Sequence, residues 1–442
     1  MSSINVGYSQ VLRRNPDFAR LWLGQLVSNL GDWFNTVAVL ALVYDLTHSS
    51  FATGLILIAS TLPSFLLTPF AGYVVDRFDR RRVMILADSV RALMALGMIL
   101  VRTSDQIWLL YVFSILLIAF SSFFGPALSA ALPNLVRREE LISANALSSS
   151  TWGLMLAVGA AVGGIVIATV GRDAAFIINS LSFLFSAAMI FSIHKPFGQP
   201  HQPQDVTQPQ RPNAWQEFRS SLSLLRTQPQ MSTSVLVKTG IGVAGGVILL
   251  LTIFSKTVFF PNDSAAGDAG IGWLYAARGL GVLLGPTLVR SVVGHDLGRM
   301  RRAIMIGLVV AGLGYLSFSL AQSFWLAAVF VMLAHMGNGV AWVLSSTMLQ
   351  FLTPDHFRGR IFAIDYGLNT VTNAFATFIV GAVLEKWDAR GVALAMSTIF
   401  VLYALVWGVA VVISQRRSPQ SWLASPRAAS AASAEPSTQA SD

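Results

Sequence analysis

Asn29, Asp32, Trp33 and Thr36 fall at i, i+3, i+4 and i+7, so a helix through them carries all four on one face. They lie inside a long apolar run, where a buried carboxylate costs roughly 2.5–3.5 kcal/mol at mid-membrane. Asp32 therefore needs a compensating role: contact with a ligand, carriage of a proton, or neutralisation by a structural partner. Similar polar stripes follow at His335, Asn338 and Trp342, and at Asp365, Asn369 and Asn373. Both are expected to face the same wet cavity as Asp32. His335 reads equally as a proton site or as a hydrogen-bonded histidine between helices. Asp88 and Arg91, at i and i+3, are expected to pair. Lys238 and Arg278 lack a local partner, which leaves them to neutralise Asp32 or Asp365 across the molecule or to attract an anionic substrate.

Other chemistries are excluded by what the chain lacks. With no cysteine there is no disulfide, thiolate metal site or cysteine nucleophile. Neither a Walker loop nor a metal-binding histidine pair occurs, so no cofactor, no metal and no enzymatic reaction is expected. Gly240 to Gly245 spell a dinucleotide-binding pattern, but that pattern needs a preceding strand and an aqueous helix start. Here it sits in an apolar run and is expected to serve helix packing. The same role is expected of Gly159, Gly163 and Gly164.

The elements that must hold these residues follow from composition. Of 442 residues 54% are hydrophobic and 12% charged, and the mean hydropathy is +0.63; this is a polytopic membrane protein in contact with the lipid bilayer. Twelve spans of about 20 or more residues are expected: Ala19–Leu46, Phe51–Val75, Val83–Val101, Ile107–Leu132, Ser148–Val170, Ala174–Ile193, Ser232–Phe260, Gly270–Val293, Ala303–Ala321, Phe324–Leu349, Ile361–Leu384 and Val392–Ser414. They divide the chain into residues 1–18, a first bundle over 19–193, a proline-containing linker over 194–231, a second bundle over 232–414 and a tail over 415–442, expected to be disordered. Phe218, Leu222 and Leu225 in the linker recur at helical spacing, which predicts a short amphipathic helix on the membrane surface.

The net charge of +9 is not a nucleic-acid signal, because the basic residues punctuate the apolar runs. With both termini in the cytoplasm, the outer connections carry only Arg102, Arg172, Lys256, Lys386 and Arg390; three cations are intramembrane and the rest fall inside. This bias sets the orientation and a location in the cell (inner) membrane. Gly54 to Pro69 and Gly272 to Pro286 have similar offsets, a weak internal repeat of the kind that places a site between two rocking bundles.

Between the second and third spans stand Gly72, Asp76, Arg77, Arg80, Arg81 and Arg82. This loop resembles the signature of the major facilitator superfamily. Phe124-Gly125-Pro126-Ala127, Leu132 to Val136 and Glu140 to Leu147, with Gln350, Pro354, Arg358 and Arg360 as a second-half counterpart, look like its branch of enterobactin-exporter-like and macrolide-efflux-like carriers. The resemblance implies an all-α fold of twelve transmembrane helices in two six-helix bundles. It also implies a cytoplasmic gate in which Asp76 holds the halves together and the basic loop meets the Arg358–Arg360 segment. The implied activity is export of small amphipathic molecules such as siderophores or antibiotics; the expected mechanism is alternating access driven by the proton gradient, in a monomer. Ala160 and Met155 replace the proline and a glycine of the related antiporter motif, and the fourth span lacks the arginine common in proton antiporters. An importer or lysolipid flippase would share the fold; a non-transporting receptor is the remaining alternative.

Overall fold

Apolar runs become helices here where a polar side chain can take up the free amides of a helix end. Ser49, Asp79, Asp263, Asp296 and Ser323 each accept a bond from the backbone amide three residues on, so the polar connections also start the next span. The computed structural model describes residues 7–195, 197, 214–294 and 296–417. Most of the expected tail and part of the linker lie outside the described residues. Within them there are helices and no strand: α1 (Tyr8–Arg14), α2 (Pro16–Thr47), α3 (Ser50–Ala59), α4 (Leu62–Arg77), α5 (Arg80–Gly97), α6 (Ile107–Leu135), α7 (Leu141–Val170), α8 (Arg172–Phe191), α9 (Ala214–Thr227), α10 (Pro229–Val243), α11 (Gly246–Ile253), α12 (Ser264–Val293), α13 (Leu297–Leu320), α14 (Phe324–Leu352), α15 (Asp355–Leu384) and α16 (Ala389–Arg417). The amphipathic linker helix coincides with α9, and Leu225 on it packs with Met231, Val235, Leu349 and Ile361.

Eleven of the helical stretches are long and apolar enough to cross a membrane. The remaining long helix, α12, spans 30 residues and is less apolar because it carries Arg278, Pro286 and several glycines, so twelve crossings are compatible with the structure. Two spans expected to be continuous are broken. The second parts at Ser60 and Thr61, because Pro63 in the first turn of α4 has no amide for the preceding turn and its ring excludes a continued helix. The seventh divides into α10, α11 and a π-helical turn at Phe254–Phe259, with Gly240, Gly242, Gly245 and Gly246 at the first break.

The C-terminal end of α2 and the π-helical turn after α11 meet the N-terminal ends of α8 and α12 on one side of the bundle, termed distal; the opposite side is proximal. Two glycine-thinned seams join the halves, α3 against α15 and α7 against α12. A Cβ on Gly272 would lie 2.5 Å from the Ala160 carbonyl oxygen and 2.7 Å from Gly164 Cα, so the α7–α12 seam admits no side chain there. Gly54, its counterpart in the repeat, faces the Thr377 carbonyl on α15. The outward surface is apolar, with Phe191, Val292, Val406 and Phe375 exposed, as lipid contact requires.

Candidate functional site

Midway along the bundle is a cavity of about 370 Å³, lined by α2, the α3–α4 break, α5, α6, α7, α11 and α12. Asn29, Asp32, Trp33, Thr36 and Arg278 all line it. The first four are delivered by one face of α2, and Arg278 comes from the second half. Trp33 and Tyr275 meet across the halves, their ring centroids 6.3 Å apart.

Asp32 does not stand alone. Its Oδ2 accepts from Arg91 Nη2 at 2.9 Å, and Arg91 Nη1 donates to Asp88 Oδ1 at 2.9 Å. The guanidinium carbon lies 3.9 Å from the Phe183 ring centroid, a cation–π contact that screens it from water. Side-chain exposure falls from 32% at Asp32 to 5% at Arg91 and 0% at Asp88. One cation thus serves two carboxylates, and Asp32 is the member that faces the cavity. The i, i+3 spacing of Asp88 and Arg91 gave half of this triad. Arg91's reach to Asp32, 59 positions away, left no local signal.

The other stripes are not brought to this cavity. Asp365 has no exposure and forms an ion pair with Lys238, whose ammonium lies 4.8 Å from the Trp342 ring centroid. Asn369 Nδ2 donates to the Lys238 carbonyl at 2.8 Å, and Asn373 packs where a Cβ on Gly245 would be. His335 Nδ1 donates to the Val331 carbonyl at 2.9 Å. Its Nε2 is then free to accept from Tyr315 Oη at 3.4 Å, which itself accepts from Asn338 Nδ2 at 2.5 Å. That set satisfies a neutral imidazole inside the second half. The physical reason is pairing: α14 and α15 turn these polar faces toward partners on α10 and α13 rather than toward water. Of the two cations without local partners, Lys238 is matched by Asp365, while no carboxylate among the described residues pairs with Arg278.

Gly159 and Gly163 face α2, where added Cβ atoms would lie 3.0 Å from Trp33 Cβ and 3.0 Å from Phe34 Cα; Gly164 faces Gly272. At the expected gate, the Asp76 side chain lies outside the described residues. Among the described residues nothing lies within 4 Å of a Cβ built on Gly72. Arg77 Nη1 donates to Tyr73 Oη at 2.6 Å, Arg80 Nη1 to the Phe197 carbonyl at 3.0 Å, and Arg81 to the Phe191 carbonyl. Arg358 reaches the Gln350 carbonyl at 3.5 Å, and Arg360 lies over the Phe357 ring. Of these contacts, those of the first-loop arginines lie with α4, α8 and Phe197, and those of Arg358 and Arg360 with α14 and α15. Arg80 and Arg81 bind carbonyls at and beyond the end of α8, where a helix carries partial negative charge.

Polar closure lies at the distal end, where it was not foreseen. Asp45 on α2 accepts from Lys256 Nζ at 3.2 Å and Ser264 Oγ at 2.9 Å, both in the second half. Arg172 of the first half bonds to Asp45 and, at 2.9 Å, to Asp268 of the second; Lys256 also pairs with Asp268. Beside this four-charge cluster, Glu385 accepts from Ser49 Oγ and the Phe51 amide, each at 2.9 Å. In the sequence these residues read as ordinary boundary charges at the ends of apolar runs.

The family model described as transmembrane secretion effector matches residues 11–431. The uncharacterized MFS-type transporter YfiS of Bacillus subtilis is 26% identical over 417 residues, covering 92% of this chain and 96% of that protein. The enterobactin exporter EntS of Escherichia coli O1:K1 is 27% identical over 410 residues, covering 90% and 93%. Among solved structures, a bacterial homologue of the lysosomal transporter Spinster in an inward-facing, occupied conformation superposes with a TM-score of 0.68 at 13% identity, covering 90% of this chain and 97% of that one. A bacterial homologue of the iron transporter ferroportin, inward-facing, gives 0.63 at 15%, covering 89% and 98%. A polar cavity within a helical membrane bundle, a charge cluster at one end of it and a family match along nearly the whole length lead to one assignment: the chain is a membrane transporter of the major facilitator superfamily and belongs to its transmembrane secretion effector family.

Proposed function

We propose that this transporter exports small amphipathic molecules across the cell membrane by alternating access, with the proton gradient as its driving force and Asp32 as the group that answers to both substrate and proton. The observation that carries the reading is the position of Asp32: it opens onto a cavity lined by both halves and is tied through Arg91 to a second carboxylate. Adding a proton to Asp32 leaves Arg91 to Asp88 alone, so the charge that α2 presents to the cavity changes in one step. A substrate loads from the proximal side, taken as cytoplasmic from the distribution of Lys and Arg. Rocking of the halves then breaks the distal cluster and releases it. The relatedness to a protein named as an enterobactin exporter supports the direction.

One proton entering per cycle down a negative-inside potential of about 100 mV supplies roughly 2.3 kcal/mol, enough for a gradient of roughly fiftyfold. The test is uptake of an amphipathic substrate panel into inverted vesicles with and without an imposed proton gradient, for the natural chain and for Asp32→Asn. Gradient-dependent uptake that Asp32→Asn abolishes is expected. Uptake indifferent to the gradient removes the coupling, and an Asp32→Asn protein that transports normally at every pH removes Asp32 from it.

A further inference from the structure

Arg278 is the cavity's unanswered charge. It enters from the middle of α12, and among the described residues no carboxylate pairs with it and its buried Nε has no acceptor. Its guanidinium carbon lies 5.7 Å from the Tyr275 ring centroid. Behind it lies the buried set of Tyr315, His335 and Asn338, which bond to one another and to Val331 and leave Asn338 Oδ1 without a donor among the described residues. The acid on the facing wall, Asp32, is already taken, since it bonds to Arg91, which also holds the buried Asp88. A guanidinium presents its donors as a planar fork that matches an oxyanion with two oxygens. In the middle of a membrane such a group calls for a partner. The protein supplies cation partners elsewhere, giving Asp365 to Lys238 and Asp45 with Asp268 to Arg172 and Lys256. At Arg278, where the cavity has room for a ligand, no carboxylate among the described residues does so.

We propose that the molecule carried is an amphipathic acid. Its carboxylate, or another oxyanion of the same geometry, bonds to Arg278, and its apolar or aromatic body lies against Trp33 and Tyr275, which meet beside that arginine. This rests on the transport reading and narrows it to a substrate class. The cavity of about 370 Å³ suits a small organic acid or the acidic portion of a larger molecule. Asp32 lies on the opposite half, so the substrate's charge and the proton site are kept apart within one cavity. The membrane potential, negative inside, then adds to export, because the departing charge is negative.

The experiment uses the full chain in nanodiscs and two probes of one shape and different charge, 2-naphthoate and 2-naphthamide, with binding read by equilibrium dialysis. The natural protein is expected to bind the carboxylate at least about tenfold more tightly than the amide, as one charge-assisted bond supplies. Arg278→Gln is expected to abolish that preference while leaving the amide's affinity in place, and Arg278→Lys to restore part of it. Added salt, measured on the natural protein alone, is expected to weaken naphthoate and not naphthamide. A natural protein that binds both probes alike, or neither, overturns the proposal, as does a preference that survives Arg278→Gln. Carboxylate preference without gradient-driven flux in vesicles would sink the export reading and leave this one. Gradient-driven flux without charge preference would do the reverse.

Discussion

Replacing Asp45 by asparagine removes the hub of the distal seal while keeping its shape. Asp45 holds two bonds across the halves, from Lys256 Nζ and Ser264 Oγ, as well as the bond from Arg172. Hydrogen bonds to a charged group are worth about 1.5–3 kcal/mol each. An asparagine keeps an acceptor oxygen, and the Asp45 side chain is 25% exposed, so the net loss from the seal is about 2–3 kcal/mol. That shifts the balance between distal-closed and distal-open states by about 30- to 150-fold. A protein with about 1% distal-open molecules would reach between about 20 and 60%. Because the chain has no cysteine, spin labels at His48→Cys and Lys386→Cys report the separation of α2 and α15 at their distal ends without background. The expected result in nanodiscs is a second, longer distance in Asp45→Asn and a single short one in Asp45→Glu. A distance distribution in Asp45→Asn unchanged from the parent would refute the idea that these charges hold the halves together.

Three further outcomes follow from the same geometry. Gly272→Ala places a methyl group 2.5 Å from the Ala160 carbonyl and is expected to lower the thermal stability of the detergent-solubilised protein by several degrees, whereas Gly72→Ala, with open space around it, leaves it unchanged; equal effects would show that the α7–α12 seam is not tight. Asp365→Leu strands Lys238 in the second half and is expected to cost about 3–5 kcal/mol, while Lys238→Met with Asp365→Leu comes back to within about 1 kcal/mol of the parent by the same measurement; a double variant as weak as the single one would mean that the pair does more than neutralise itself. Burial would raise the Glu140 carboxyl, but the 2.7 Å bond from Asn15 Nδ2 and the charges of Arg137 and Arg14 outweigh it and hold the group below the ordinary carboxylate range. A depressed carboxylate contributes fully at neutral pH and loses its contribution as pH falls through the lowered value. A spin label at Ser9→Cys on α1 is therefore expected to become mobile only in acid, and already at neutral pH in Glu140→Gln; identical mobility in the two proteins at pH 7 would dissociate Glu140 from the docking of α1.

The sequence by itself determined the membrane, the helices and the two-part plan, because each is written locally. Apolar runs of span length, capping residues between them and a repeated glycine–proline offset need no knowledge of distant contacts. The face of α2 that carries Asn29, Asp32, Trp33 and Thr36 was legible for the same reason, since helical periodicity fixes which side chains share a direction. What periodicity cannot say is what lies opposite a face. The stripes through His335 and Asp365 have the spacing of the Asp32 stripe, yet tertiary packing sets Tyr315 and Lys238 against them and turns them into the interior of one half. Packing likewise gave Arg91 to Asp32 and gathered Asp45, Arg172, Lys256 and Asp268 into one cluster from four chain positions. It also left Arg278 facing the cavity with no carboxylate partner among the described residues. A buried charge is defined by the partner that meets it, and for these residues the partners are remote along the chain and adjacent only in the folded bundle.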